Sequence, residues 1–352
     1  MRSMSKRSVT IFDVAREASV SVKTVSRVLN DEPRVRTDTR TTVLAAVKRL
    51  KYQRNAYARG LRADNTNIYG LIYADASGGY HSDVLAGVLT KCKAEGCHLI
   101  VELIEGQNQV QQMEKFVAQV RLDGAVVMAP LCDDTRLLAI LAEYNIPVVR
   151  ISPRQGYSGE LTVAIDDEQA AIDIVDHLVA LGHRRIGFVQ GTPDMAASEQ
   201  RLAGYRKALH RHDIAEDASL IAPGHFDLAS GEVAGAALLA LPEPPSAIVA
   251  ANDETAAGVL AAAYQYGLVV PQDLSICGFD DSMVARTVSP PLTTVRQPSR
   301  DVGSEAIAIL RQYRRDMAGG HPVASIRKIM QHQVIVRGST SGPRLPNSGT
   351  RS

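Results

Sequence analysis

The sequence predicts a small all-α headpiece that contains a helix-turn-helix, followed by an α/β core of two parallel-sheet lobes. Three observations support this prediction. Charge is divided unevenly along the 352 residues, the first sixty residues show helical periodicity, and the remainder alternates apolar β-rich runs with helical segments. A chain of this length is long for one domain, so several folding units are expected.

The basic residues are concentrated at the N-terminal end. Residues 1–62 contain 15 Lys and Arg against 5 Asp and Glu, whereas residues 63–352 contain 24 against 33. A small basic unit joined to a large acidic one indicates that the basic unit binds a polyanion such as DNA.

Three short helices are predicted in the first sixty residues. Ser21 is a good N-cap for the second of them, which follows the first after a tight turn. Apolar residues recur at helical spacing in all three helices: Ile11, Val14, Ala15 and Ala18; Val25, Val28 and Leu29; and, after Thr37, Val43, Leu44, Val47 and Leu50. Two helices joined this way have the form of a helix-turn-helix.

The second helix would be the one that reads DNA. Residues near its N-terminus reach base edges in the major groove. Lys23 and Arg27 suit the acceptors of guanine, and Val22 can pack on a thymine methyl group. Short hydroxyl and amide side chains that could position phosphates are Ser21, Thr24, Ser26 and Asn30.

After residue 65 the pattern changes to alternating strands and helices, which is typical of parallel sheets with both faces covered. The predicted strands are 68–74, 98–104, 123–129, 147–152, 161–166, 185–191, 246–252 and 274–280. This stretch is too long for one comfortable core, so two lobes are expected.

Short polar residues stand at the carboxyl ends of several strands, where α/β sheets bind ligands. They are Asp75, Ser152, Asp166, Asn252 and Asp280. Each could instead be only the N-cap of the next helix. Five such ends together favour a binding site for a hydroxyl-bearing ligand.

Other classes of site find no support in the sequence. It has no Gly-rich phosphate loop, no metal-ligand spacing and no nucleophile elbow, so neither an enzyme nor a cofactor is expected. The four cysteines are expected to be reduced and buried. Without a signal peptide or membrane span, we expect a cytoplasmic protein. His183, after Gly182, is expected in a helix-ending turn.

Several motifs, in order, resemble the LacI/GalR (lactose/galactose repressor) family to about Gly338. They are DVA, VS-x-x-TVSRVLN, V-x-x-x-TR and Y-x-x-N-x-x-A-R-x-L, then HLVALGHRRIGFV, RLAGYRKAL, AANDETAAG, LSICGFDD and PPLTTVRQP. The resemblance implies a homodimer on pseudo-palindromic operator DNA and a hinge helix that folds on DNA. It also implies a core like that of periplasmic sugar-binding proteins.

The resemblance also assigns individual residues. It adds Thr39, Tyr52, Asn55, Ala58 and Leu61 to the DNA-binding set, with Leu61 as an apolar wedge in the minor groove. It assigns effector binding to Tyr80, Arg201, Phe226, Asn252, Asp280 and Gln297, and the strand ends add Ser152 and Asp166 to the predicted effector-binding residues. Arg54 and Gly60 depart from the usual hinge pattern, and some sugar-responsive members carry Asp where this chain has Ser152.

We therefore expect a headpiece at 7–53, a hinge at 54–65, a core at 66–338 and a disordered tail at 339–352. Lobe 1 is expected at 66–163 and 296–325, and lobe 2 at 164–293. The tail lacks leucine heptads, so a dimer is expected. The leading hypothesis is a sugar-responsive repressor of a catabolic operon. A corepressor-dependent regulator that senses a purine or phosphoprotein, and a transporter solute-binding protein, remain alternatives.

Overall fold

The computed structural model describes residues 9–29, 32–52, 65–74, 78–154, 160–193, 195–321 and 325–344. Contacts divide the chain into two units, Met1–Thr66 and Asn67–Ser352.

The described residues of the first unit form three helices that enclose a small apolar core. They are α1 (Ile11–Glu17), α2 (Val22–Leu29) and α3 (Thr37–Leu50). Val14, Val25 and Val43, one from each helix, are fully buried against one another. The predicted helical periodicity of this segment is therefore confirmed.

The apolar face of α3 is narrower than the sequence predicts. Val43 is fully buried and Val47 is half-buried, whereas Leu44 is 48% exposed. Successive helical residues point about 100° apart. Two short partner helices cover only one side of α3, so the expectation that Leu44 is buried was wrong.

The second unit contains two six-stranded sheets. Sheet 1 has the order β11-β5-β4-β3-β1-β2 and is parallel throughout. Its strands are β1 (Ile68–Tyr73), β2 (His98–Leu103), β3 (Gly124–Met128), β4 (Val148–Ile151), β5 (Leu161–Ile165) and β11 (Ile326–Met330).

Sheet 2 has the order β12-β10-β9-β8-β6-β7, with only β12 antiparallel. Its strands are β6 (Ile186–Val189), β7 (Ile221–Ala222), β8 (Ala247–Ala250), β9 (Ser275–Asp280), β10 (Thr293–Arg296) and β12 (Gln333–Ile335). All eight predicted strands are present. The short strands β7, β10, β11 and β12 were not predicted.

Helices cover both faces of each sheet. Lobe 1 comprises sheet 1 with α4 (Gly79–Ala94), α5 (Gln109–Gln119), α6 (Thr135–Glu143) and α12 (Ser299–Ala318). Lobe 2 comprises sheet 2 with α7 (Asp167–Ala180), α8 (Ala196–Arg211), α9 (Leu228–Leu239), α10 (Asp253–Gln265) and α11 (Met283–Thr287). Central strands such as β3 and β8 are buried along their whole length, which explains their continuous apolar runs.

The chain passes between the lobes after β5, after β10 and after β11. The lobe boundaries differ from the expected ones by a few residues. Strand β5 ends at Ile165 and the whole of β10 lies in sheet 2, whereas β11, beyond the expected end of lobe 1, returns to sheet 1.

Residues 339–344 are not part of a disordered tail, which corrects the expectation from composition. Ser339 is fully buried, donates to the Ile276 carbonyl at 2.5 Å and accepts from the Thr293 amide at 2.8 Å. Hydroxyls and main-chain groups here satisfy polar groups at the ends of β9 and β10. Low apolar content therefore does not imply disorder in this segment, and 345–352 lie outside the described residues.

Within the described residues, no helix has the length and apolar character needed to cross a membrane. The four cysteines are buried free thiols, as predicted.

Candidate nucleic-acid interface and effector cavity

Helix α2 begins where the sequence predicts because Ser21 caps it. The Thr24 amide donates to the Ser21 hydroxyl at 3.1 Å, and the two hydroxyls lie 2.8 Å apart. An N-cap of this kind stabilises a helix by about 1 kcal/mol. Because both hydroxyls belong to this cap, Ser21 and Thr24 lie together at the N-terminus of α2.

The two faces of α2 differ as expected for a recognition helix. Val25 and Val28 are buried in the headpiece, whereas Lys23 and Arg27 are exposed. Arg27 Nε lies 3.5 Å from a carboxylate oxygen of Glu32, and both side chains are about half exposed. An exposed pair contributes about 0–1 kcal/mol, so it can readily be exchanged for a contact with DNA.

The other predicted DNA-contacting residues are less exposed than Lys23 and Arg27 or lie outside the described residues. Val22 and Ser26 are half-buried on α2, and Thr39 is half-buried in the first turn of α3. Tyr52 packs partly against the headpiece core. Four further predicted contacts lie outside the described residues: Asn30, Asn55, Ala58 and Leu61.

The core contains a cavity of about 130 Å³ between the two lobes. Seven of the eight predicted effector-binding residues line it: Tyr80, Ser152, Arg201, Phe226, Asn252, Asp280 and Gln297. The carboxyl ends of β4, β8, β9 and β10 meet here, as expected for ligand sites in parallel sheets.

Asp166 is the predicted residue that this cavity does not include. Its side chain caps α7 by accepting from the Gln169 amide at 2.9 Å, and it lines a neighbouring cavity of about 320 Å³. Asp167, one position later, is buried and bonds Arg201 instead. The N-cap alternative therefore describes the hydrogen bonding of Asp166 better than effector binding does.

Arg201 is held firmly within lobe 2. Its Nε donates to Asp167 at 2.8 Å, and one terminal nitrogen donates to the Ala251 carbonyl at 2.6 Å. The guanidinium carbon lies 3.6 Å from the centroid of the Phe279 ring and 5.7 Å from that of Phe226. These contacts fix the guanidinium plane before any ligand arrives.

Asp280 is the acidic group beside Arg201. Its Oδ1 accepts from the Gln297 amide at 2.6 Å and lies 4.0 Å from an Arg201 nitrogen. Burial raises the pKa of Asp280 well above its usual value, the Arg201 charge lowers it, and the nearby carboxylates Asp253 and Glu254 raise it further. The carboxyl group of Asp280 can hydrogen-bond a hydroxyl in this cavity.

The ring of Phe226 enters the cavity because the backbone opposite it has no side chain. A Cβ built at Gly191 would lie 2.1 Å from that ring, so only glycine leaves room for it. Phe226 has φ 62°, Ser152 φ 51° and Asp280 φ 107°, all positive. Such conformations cost non-glycine residues roughly 1–3 kcal/mol, and three of the nine that occur among the described residues line this cavity.

Asn252 is bonded to other protein groups. Its Oδ1 caps α10 by accepting from the Thr255 amide, while its Nδ2 donates to the Phe226 carbonyl and to Glu254, all at 2.9 Å. Both amide protons are used in these bonds. Asn252 therefore positions the Phe226 ring, and only its oxygen retains capacity for a ligand.

Glu254 was not predicted, although it lies two residues after Asn252. Its other oxygen accepts from the Gly79 amide at 3.1 Å. This bond joins lobe 2 to the first residue of α4 in lobe 1. An acidic residue at the start of a helix is weak evidence for a binding site, because most such residues face solvent and interact with the helix dipole.

The lobe 1 wall is largely apolar and neutral. Met128 and Ile151 line it together with Tyr80, whose hydroxyl lies 3.4 Å from that of Ser152. An aromatic ring, a carboxyl group and a guanidinium from lobe 2 thus face a wall that can cover an apolar surface. Such a cavity suits a small ligand with hydroxyls on one side.

Two family models match the chain. "Bacterial regulatory proteins, lacI family" matches residues 10–55, and "Periplasmic binding protein-like domain" matches residues 175–340. Catabolite control protein A of Priestia megaterium is 36% identical over 87% of this chain and 92% of its own length. The HTH-type transcriptional repressor CytR of Escherichia coli K12 is 33% identical over 94% of this chain and 96% of its own.

Solved structures agree with these relatives. The lac repressor dimer bound to operator and the anti-inducer ONPF has a TM-score of 0.84 at 28% identity, covering 95% of this chain and 100% of that one. The CelR–cellobiose complex has a TM-score of 0.70 at 28% identity, covering 94% and 99%. Each of these proteins thus matches the headpiece and the two lobes together.

Proposed function

Since the chain belongs to the LacI family of bacterial regulatory proteins, and is therefore a DNA-binding transcription regulator, we propose that it is a repressor. It binds a pseudo-palindromic operator as a homodimer. A small carbohydrate-like effector, bound in the cavity between its lobes, releases it from that operator.

The observation that carries this proposal is the cavity lined by both lobes. Arg201 and Asp280 are held beside Phe226 in lobe 2, opposite Tyr80 and Ser152 in lobe 1. Hydroxyls of a sugar pair with carboxyl and guanidinium groups while an apolar sugar face stacks on an aromatic ring. The solved CelR structure, similar over nearly the whole chain, is a complex with cellobiose.

In the headpiece, Lys23 and Arg27 contact base edges and Val22 packs on a thymine methyl group. The phosphate contacts come from Ser21, Thr24, Ser26 and Asn30. Thr39, Tyr52, Asn55, Ala58 and Leu61 complete the interface, with Leu61 inserted in the minor groove. The capped start of α2 and the exposure of Lys23 and Arg27 support this assignment.

Control follows from the position of the cavity. An effector that bonds both lobes favours one relative orientation of the lobes over others. It changes DNA affinity only through its different affinity for those orientations, typically by 1–3 kcal/mol. In a dimer the lobe orientation sets the spacing of the two recognition helices, which must enter major grooves one helical turn apart.

DNA recognition is tested with an operator selected from randomised duplexes by the full chain. Arg27→Ala is expected to weaken binding to the selected operator by about 1–3 kcal/mol and binding to random DNA far less. Arg16→Ala, which removes an arginine that is 81% exposed on α1, is the matched control. Equal losses on both DNAs would make Arg27 a phosphate contact.

Effector control is tested by release from that operator, followed by fluorescence anisotropy against neutral mono- and disaccharides. Asp280→Ala is expected to bind operator like the wild type but to resist release by any sugar that releases the wild type. Circular dichroism first establishes that the variant is folded. Unchanged release of a folded Asp280→Ala protein would contradict the proposed cavity.

A further inference from the structure

We propose that the effector is uncharged and that this cavity excludes phosphate esters and other anions. The inference rests on the proposed function and narrows its ligand class. The juxtaposition that carries it is one neutralised guanidinium among several carboxyl groups.

Positive charge in the cavity is already balanced. Arg201 is the single Lys or Arg among the described residues that line it. Asp167 accepts from its Nε at 2.8 Å, and Asp280 lies 4.0 Å from a terminal nitrogen. The Ala251 carbonyl takes a further donor at 2.6 Å. The guanidinium keeps donors for a ligand, but its charge is already paired with the carboxylate of Asp167.

Negative charge in the cavity exceeds what Arg201 balances. Glu254 lines the same space, and its two oxygens are fixed by the Gly79 and Asn252 N–H groups. Asp280 lines the same cavity, and the nearby Asp253 is fully buried. Burial raises the pKa of Asp280, the Arg201 charge lowers it, and Asp253 and Glu254 raise it, so Asp280 interacts with both neighbouring carboxyl groups. These carboxyl groups oppose the binding of a phosphate dianion.

The cations of the adjoining 320 Å³ cavity lie among acidic residues. That cavity has Arg154 and Arg327 together with Asp166 and the Arg201 partner Asp167. Arg154 moreover pairs with Glu199 at 3.0 Å. The undescribed stretches of the core, 75–77, 155–159, 194 and 322–324, contain no Lys, Arg or His.

Two histidines, His81 and His225, also line the cavity. The binding measurements are therefore made at pH 8, above the ordinary titration range of a free imidazole.

The first experiment measures the melting temperature of the full chain at pH 8 with matched pairs. The pairs are glucose and glucose 6-phosphate, ribose and ribose 5-phosphate, and cytidine and cytidine 5′-monophosphate. For any pair in which one member binds, the neutral member is expected to raise the melting temperature and the ester to bind about 100-fold more weakly. An ester that binds as tightly as its neutral partner would overturn the inference.

If the protein binds the selected operator but none of these compounds, that result contradicts effector control by these compounds. A measurement on the ligand-free protein still tests the inference. Asp280→Asn keeps the oxygen that accepts from Gln297 and removes the charge. It is expected to raise the melting temperature of the ligand-free protein at pH 8, because repulsion among carboxyl groups is relieved. A lower melting temperature would show that Arg201 needs the charge, which would overturn the inference.

A second variant separates charge from structure. Glu254→Gln is expected to reduce the ratio of the affinity for the neutral member to the affinity for its ester by about tenfold or more. A unit charge a few ångströms away changes binding on this scale. Glu199→Gln, whose side chain is 50% exposed and pairs with Arg154, is the matched control and should leave the preference unchanged. An unchanged preference in Glu254→Gln would contradict the inference.

Discussion

The two walls of the cavity come from lobes of the same architecture but differ in chemistry. Lobe 2 contributes Arg201 and Asp280, which are bonded to other lobe 2 groups without any ligand. Lobe 1 contributes Tyr80 and Ser152, whose hydroxyls lie 3.4 Å apart. Lobe 2 is thus organised in advance to orient a ligand, while lobe 1 offers a wall that can close over it.

Two buried arginines, one in each lobe, differ in the same way. Among the described residues, Arg150 in lobe 1 and Arg201 in lobe 2 are both buried. Arg150 donates to Asp133 and Glu160 at 2.6 Å each but does not line the 130 Å³ cavity. Of the two, only Arg201 lines the cavity between the lobes.

The largest expected effect comes from removing these arginines. Arg201→Ala should lower the free energy of unfolding by about 3–5 kcal/mol, because it leaves the buried carboxyl group of Asp167 without its partner. Arg150→Ala should lower it less, because its partners Asp133 and Glu160 are 22% and 24% exposed. Urea denaturation measures the loss. Only Arg201→Ala should also lose its response to effector.

Arg201→Lys serves as the fallback if Arg201→Ala does not fold, since it keeps the charge but loses the planar, two-pronged donor geometry. The contrast between the lobes would be lost if Arg150→Ala, correctly folded, responded to effector as poorly as the Arg201 variants.

A smaller effect should separate the aromatic residues of the two walls. Phe226→Ala should weaken binding of the effector found by operator release by about 1.5–3 kcal/mol, because a stacking face is removed. Tyr80→Phe should cost under about 1 kcal/mol, because the hydroxyl contact it loses is long. Isothermal titration calorimetry of both variants measures the difference. Equal losses would mean that both lobes hold the ligand to the same degree.

The smallest effect concerns acid stability, which should also differ between the lobes. In lobe 2, burial lowers the pKa of His183 and of His177. His183 is 1% exposed, and its ring bonds Ser246, Ser275 and the Ser341 carbonyl. The position is a helix-ending turn, as predicted, since Gly182 has φ 102°.

Below about pH 6.5, His183 binds a proton in the unfolded chain but stays neutral in the folded one. The free energy of unfolding therefore falls as the pH falls. His183→Gln should reduce this slope by at most about 1.4 kcal/mol per pH unit. The exposed His98→Gln of lobe 1 should not change it. Burial raises the pKa of Asp253 to about 7, so this group makes the folded state more stable as the pH falls from about 7 to about 4. The contribution of His183 is therefore taken from the difference in slope between variant and wild type. Identical slopes would show that His183 does not titrate on unfolding.

Local patterns in the sequence determined much of this molecule. Helical periodicity and the Ser21 cap located α2, because both act within one or two turns. Runs of apolar residues located eight of the twelve described strands, because buried parallel strands need them on both faces. Polar strand ends located Ser152 and Asp280 at one cavity, because parallel strands bring their carboxyl ends to the same edge.

Only the tertiary structure decided the remaining features, because they depend on groups far apart in sequence. Asp166 caps a helix while Asp167 binds Arg201, a distinction of one residue that depends on which side chain faces the sheet. Glu254 reaches the Gly79 amide across 175 positions. Ser339 is ordered by β9 and β10, although its own segment is polar, because those strands leave main-chain groups that only a returning chain can bond.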